Sequence, residues 1–251
     1  PTASSTTPAS TNDLYSITYN STTAQFIAVG AAGTILRGIV SSTDNSITWT
    51  SIYYSSSTTT LPTLYSVTAV GTGFIAVGAS GTLITGVTSS YNVAYDTLTW
   101  TVHTPPTTKD LYGVAYQNST YIAVGAGGTL LTSSDSSSWT TRTSGVTTDL
   151  YGAAYGASSY LVVGASGTLL SSSSLSSWTP VTGLSSGSAD LRSIVFGSQF
   201  VIVGAGENIL TCDAANSTNS AVNCNPNAGA NWTQASSGGT ANFYKVLYGG
   251  G

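Results

Sequence analysis

The stretch FIAVGASGTLITG, residues 74–86, joins an apolar run to a patch of small residues, and the chain writes it five times. Near-copies begin at Phe26 (FIAVGAAGTILRG), Tyr121 (YIAVGAGGTLLTS), Tyr160 (YLVVGASGTLLSS) and Phe200 (FVIVGAGENILTC). FIAVG is apolar at nearly every position instead of every second one, which predicts a strand buried on both faces. The following Ala-x-Gly suits a tight turn, because glycine tolerates positive φ there. Each phrase reads as one β-hairpin, and its fivefold use as one hairpin per repeated module.

Two further strand signals flank each hairpin. Before it comes LYSITY from Leu14, with relatives at Thr63, Leu111, Leu150 and Leu191; after it comes a tryptophan at 49, 100, 139, 178 or 232. Aligned on the Val-Gly glycine (30, 78, 125, 164, 204), the copies are spaced by 48, 47, 39 and 40 residues, with no helical spacing between them. A period near 40 that holds four strands predicts an all-β chain, a β-propeller of about five four-stranded blades. The third position of the first strand is small in every copy (Ser16, Ser66, Gly113, Gly152, Ser193), as expected where inner strands converge. The tryptophans are expected to pack between blades.

NFYKVLYG, residues 242–249, reads as a sixth first strand, an extra C-terminal strand with Lys245 at the small position. A terminal strand, 14–19 or 243–248, is expected to complete a blade formed at the other end or to exchange with a neighbouring molecule, with a natural chain that continues past Gly251 as the equal alternative. Residues 1–12, PTASSTTPASTN, read as a Ser/Thr/Pro linker or stalk, and 13–251 as a single propeller domain.

The phrase AVGAGGTLLTSSDSSSW, residues 123–139, resembles the repeats of the photosystem II assembly and stability factor family, itself related to bacterial neuraminidase repeats. The resemblance covers residues 14–248 and implies the propeller fold, whereas many activities share that fold. This chain departs from the family pattern: only Asp135 keeps the acid before the tryptophan, Ser136 and Ser137 replace glycines, and Ser174 stands where the fourth acid would lie. The resemblance also implies docking of a partner through an arginine patch, but here the arginines are Arg37, Arg142 and Arg192, each in a different strand class. Sialidase chemistry would need three arginines gripping one carboxylate, and these three do not share a position.

Only 6% of the residues are charged, with five Lys plus Arg against nine Asp plus Glu, against a usual proportion of about a quarter. That excludes the cationic density that nucleic acid or an anionic lipid surface requires. No apolar run reaches the roughly 18–20 residues of a spanning helix, so no direct membrane insertion is expected. Abundant hydroxyls and a beginning at Pro1 fit a mature exported chain. Cys212 and Cys224 lie in one long insertion and are expected to form a disulfide in an oxidising compartment.

Asp13, Asp110, Asp149 and Asp190 stand immediately before first strands, with Thr63 in the remaining place. Such acids at one mouth of a propeller would bind a metal cation or perform acid–base work. Recurrence at equivalent positions reads more economically as a turn residue capping backbone N–H groups. His103 is the sole histidine, so no catalytic triad or histidine metal site is assembled, and the GAGGT turns lack the helix that a phosphate cradle needs. The sequons at Asn20, Asn118, Asn216 and Asn231 are glycosylation candidates, all on loops of one face. Neither cofactor nor catalytic residue is expected. The resulting expectation is a non-catalytic extracellular or cell-surface structural and adhesive module, a subunit of an appendage or filament, with other protein subunits or surface glycans as partners. A lectin-like carbohydrate-binding propeller is the alternative, followed by a glycoside hydrolase.

Overall fold

The structure, a computed structural model, describes residues 10–52, 61–88, 98–184, 186–212, 232–236 and 240–248. Among the described residues, twenty strands form five four-stranded antiparallel sheets. The first sheet is β1 (Leu14–Asn20), β2 (Gln25–Gly30), β3 (Ile35–Val40) and β4 (Ile47–Ile52); the second is β5 (Leu64–Val70), β6 (Gly73–Gly78), β7 (Leu83–Thr88) and β8 (Leu98–His103). The third contains β9 (Leu111–Gln117), β10 (Thr120–Gly125), β11 (Thr129–Ser133) and β12 (Thr140–Thr141). β13 (Leu150–Gly156), β14 (Ser159–Gly164), β15 (Leu169–Ser172) and β16 (Thr179–Pro180) make the fourth; β17 (Leu191–Phe196), β18 (Phe200–Gly204), β19 (Asn208–Cys212) and β20 (Thr233–Ser236) make the fifth. Every sheet runs in simple up-and-down order, the blade of a propeller. Two compact units result, residues 1–116 with 135–139, and residues 117–134 with 140–251.

The hairpin strands are buried on both faces, as their unbroken apolar pattern predicts. Along β14, Tyr160 and Val162 join a core cluster with Ile122, Leu130 and Leu150, whereas the intervening Leu161 and Val163 join another with Leu191, Phe200 and Ile202. One strand therefore serves two interfaces, one with each neighbouring blade of its unit. In the other unit, Ile27, Val29, Leu64, Phe74, Ile84 and Trp100 form the shared core. Full burial of each such side chain stabilises the fold by about 1.5–3 kcal/mol, so the interfaces between blades carry most of the stability.

The turns between second and third strands place two consecutive residues in the left-handed region: Ala32 and Gly33 at φ 51° and 68°, Ser80 and Gly81 at 54° and 71°. The Val-Gly glycine has a different reason. Gly78 has φ −166°, an extended backbone open to any residue. A Cβ there would lie 2.1 Å from the Thr63 carbonyl oxygen, which accepts the Ala79 N–H at 2.8 Å. Gly30 and Gly204 meet Asp13 and Asp190 in the same way, each at 2.0 Å. Steric room, and not conformational freedom, explains this glycine.

Trp100, Trp178 and Trp232 join the core clusters between blades, as expected, and within a blade the tryptophans also stand in cross-strand rows. Cross-strand register aligns Phe26, Gly38 and Trp49, and equally Phe74, Gly86 and Trp100. Phe26 and Trp49 centroids lie 6.1 Å apart, and Phe200 and Trp232 lie 6.3 Å apart. The glycine in the middle leaves room for the indole: a Cβ on Gly86 would be 3.0 Å from the Trp100 ring.

Candidate protein-binding surface

A repeated seat joins each blade to the next within its unit, and it is built from the first strand. The residue before that strand reaches back to the left-handed turn of the preceding blade. Ser80 N–H donates to the Asp110 carboxylate at 2.8 Å, Gly127 N–H to Asp149 at 2.8 Å, and Ser166 N–H to Asp190 at 3.0 Å. Thr63 accepts from Ala32 N–H at 3.4 Å through its hydroxyl. Three of the four aspartates singled out as metal candidates are thus turn caps, and no group of three or more His, Cys, Asp or Glu that could hold a metal occurs among the described residues.

The next position is a leucine pressed wholly under the preceding blade: Leu64, Leu111, Leu150 and Leu191 are all 0% exposed. At the third position a serine hydroxyl accepts an N–H from the following first strand, Val67 to Ser16 at 3.2 Å and Val114 to Ser66 at 3.3 Å. A Cβ on Gly152 would find ordinary contacts of 3.5 Å and beyond, so serine fits at this position as well as glycine does. The hydroxyl has a bonding role that glycine forgoes.

In blade one the first strand is open among the described residues. Leu14 is 47% exposed and Ile17 46%, where their counterparts Leu64 and Val67 are at 0% and 5%. Tyr15 and Tyr19 extend this open apolar face. Among the described residues nothing bonds the Asp13 carboxylate, the fourth member of the aspartate set.

At the other end, residues 242–248 occupy the seat on blade five as the extra strand copy. Gly206 N–H donates to the Asn242 side-chain carbonyl at 3.1 Å, Phe243 N–H to the Gly204 carbonyl at 3.0 Å, and Val246 N–H to the Ser193 hydroxyl at 3.2 Å. These are the bonds of an inner strand, yet the segment pairs into no sheet, and Tyr244, Leu247 and Tyr248 remain exposed. Lys245, at the position of the serine, has its ammonium pKa lowered by desolvation.

Tyrosines at the second position of the first strands stand side by side. Tyr15, Tyr65 and Tyr112 are successive neighbours at 6.0 and 5.6 Å in one unit. In the other unit Arg192 takes that position, lying over the Tyr151 ring at 5.9 Å and the Tyr244 ring at 5.1 Å while pairing with Asp190 at 3.1 Å. Burial raises the Tyr65 and Tyr151 pKa values, reinforced by the charges of Asp110 and Asp190 respectively. These phenols stay protonated and serve as flat, hydrogen-bonding contacts suited to protein surfaces.

The remaining candidates are held locally. Arg37 donates to Gln25 at 3.2 Å and Arg142 to Thr132 at 2.8 Å. His103 meets the Thr85 hydroxyl at 2.7 Å, and desolvation lowers its pKa, with Asp135 opposing. Asp135 itself accepts the N–H groups of Ser137 and Ser138 in a turn. Asn20 is unsuited to carry a glycan in the folded chain: it is 3% exposed and its amide donates to the Gly71 and Gly73 carbonyls, each at 3.1 Å. Asn118 is exposed and donates to the Tyr160 hydroxyl at 2.8 Å. Asn216 and Asn231 lie outside the described residues, as does Cys224; Cys212 is fully buried at the end of β19, and no described cysteine is a free thiol.

No family model matches the chain, and no curated protein does. Solved structures do. YCF48 bound to D1 peptide superposes with a TM-score of 0.64 at 15% identity, covering 94% of this chain and 71% of its own. YCF48 from Cyanidioschyzon merolae gives 0.62 at 18%, covering 93% and 73%. The WD40 β-propeller domain of Doa1 gives 0.61 at 13%, covering 82% and 67%. The chain has the β-propeller fold, and its repeats resemble those of the photosystem II assembly factor.

Proposed function

We propose that this is a non-catalytic propeller module that works by binding protein, displayed outside the cell as a structural or adhesive unit. The open face of blade one carries the reading. An apolar surface whose leucine is sealed in every later blade is a binding surface until something covers it. Support comes from propeller neighbours, one of which is bound to a peptide, and from a 6% charged composition that gives a neutral, hydroxyl-rich exterior. A disulfide between Cys212 and Cys224 is part of the same proposal. The lectin-like alternative is left with two partly buried tryptophans, Trp49 and Trp139, because Trp100, Trp178 and Trp232 are buried at 6%, 8% and 6% exposure. The test places a photo-crosslinking amino acid at Tyr15 and labels intact native cells with a membrane-impermeant reagent. A crosslinked protein adduct on a surface-labelled chain is expected. Absence of any adduct, or labelling only after lysis, refutes the reading.

A further inference from the structure

We propose that the open face of blade one seats on blade five of a second copy of this chain, displacing residues 242–248 and joining copies head to tail. The inference rests on the reading of that face as protein-binding.

The occupant is argued from the repeat itself. The face of blade one is one half of an interface that this chain already builds between its own blades, so its complement is the trailing face of a blade from the same sequence. In one copy that trailing face is offered by blade five, where Asn242–Tyr248 (NFYKVLY) holds the place as a copy of Asp13–Tyr19 (DLYSITY). The bonds are transferable one for one. Asp13, without a partner, would accept the Gly206 N–H now given to Asn242, and Ile17 N–H would donate to the Ser193 hydroxyl now used by Val246. Leu14 would take the place of Phe243.

The resident segment is the weaker occupant. A single strand brings no second strand to cover blade five, and it leaves Tyr244, Leu247 and Tyr248 at 66%, 68% and 62% exposure. Stacking on top of residues 242–248 is disfavoured, because Lys245 offers no acceptor where a serine would. The contact joins two different surfaces, so it propagates into filaments or closes into rings.

Sedimentation velocity of the full chain across a concentration series tests this. The wild type is expected to self-associate. Ile17→Asp, at an exposed position, should remain monomeric with an unchanged melting temperature. Phe243→Asp with Val246→Asp should associate at concentrations at least tenfold lower than wild type, because the seat is vacated; Asn242→Ala, which removes one bond only, should shift in the same direction should the double variant misfold. The inference is overturned by a wild type and Asn242→Ala variant that both stay monomeric, by an Ile17→Asp variant that still associates, or by weaker association on loosening residues 242–248. The Tyr15 crosslink separates the levels: an adduct to the same chain supports the inference, an adduct to a different protein overturns it while sparing the functional reading, and none overturns both.

Discussion

Replacing Gly78 with alanine asks why the Val-Gly glycine recurs. Its backbone, at φ −166° and ψ −156°, is one that alanine adopts freely. The new Cβ would be 2.1 Å from the Thr63 carbonyl oxygen and 2.9 Å from the Leu64 Cα. A carbon–oxygen contact normally opens to about 3.3 Å, so β5 and β6 must separate by about 1 Å at this point. That movement breaks the 2.8 Å bond from Ala79 N–H to Thr63. Overpacking costs about 1–3 kcal/mol and the lost bond about 1 kcal/mol, giving about 2–4 kcal/mol in total. For a chain of this size the melting temperature should fall by about 5–15 °C, read by circular dichroism alongside urea unfolding. Gly145→Ala is the contrast: φ is +77° with nothing within 4 Å, so only the left-handed conformation is penalised, by about 1–2 kcal/mol. A Gly78→Ala protein within about 0.5 kcal/mol of wild type would refute the steric account.

Four other substitutions probe the same architecture. Asp110→Ala should destabilise by about 1 kcal/mol through loss of its cap on Ser80 N–H, while Asp13→Ala should leave the dilute protein unchanged in urea unfolding. Gly152→Ser should be accepted and raise stability by about 0.5–1 kcal/mol, because strand glycine is entropically costly and a Cβ has room; a drop in melting temperature would contradict this. His103 has a folded pKa below its ordinary 6.5, so the unfolded chain binds more protons as pH falls through that range. Stability should therefore decline between about pH 7.5 and 5.5, and His103→Asn should flatten that part of the profile.

The hairpins, their two-sided burial and the five blades were legible because apolar periodicity and a 40-residue spacing report directly on sheets packed face to face. Reasons for individual residues were less legible. The glycines of Val-Gly and Ala-x-Gly look alike in the sequence, yet one answers at extended φ to a carbonyl of the adjacent strand and the other to positive φ together with a carbonyl of the chain entering the next blade. The aspartates were visible as a set, and turn capping was the economical reading. That each cap reaches the preceding blade could not be read, since Ser80 and Asp110 are joined only by the fold. Small third positions suggested crowding, whereas Ser16 and Ser66 accept bonds from strands about fifty residues away. The tryptophans were legible as packing between blades, whereas the cross-strand rows that also hold them appear only when register aligns Phe26, Gly38 and Trp49. The open face was hidden for the opposite reason: LYSITY has the same pattern as its buried relatives, and exposure depends on a neighbour that no local signal reports.

Hydrogen exchange on the peptide covering 14–19, compared with that covering 64–70, tests the open seat most directly. Slow exchange at 64–70 under all conditions is expected, with fast exchange at 14–19 in dilute protein that slows as concentration rises. Equal protection of both peptides at every dilution would contradict the account, because the face of blade one would then already be covered within a single molecule.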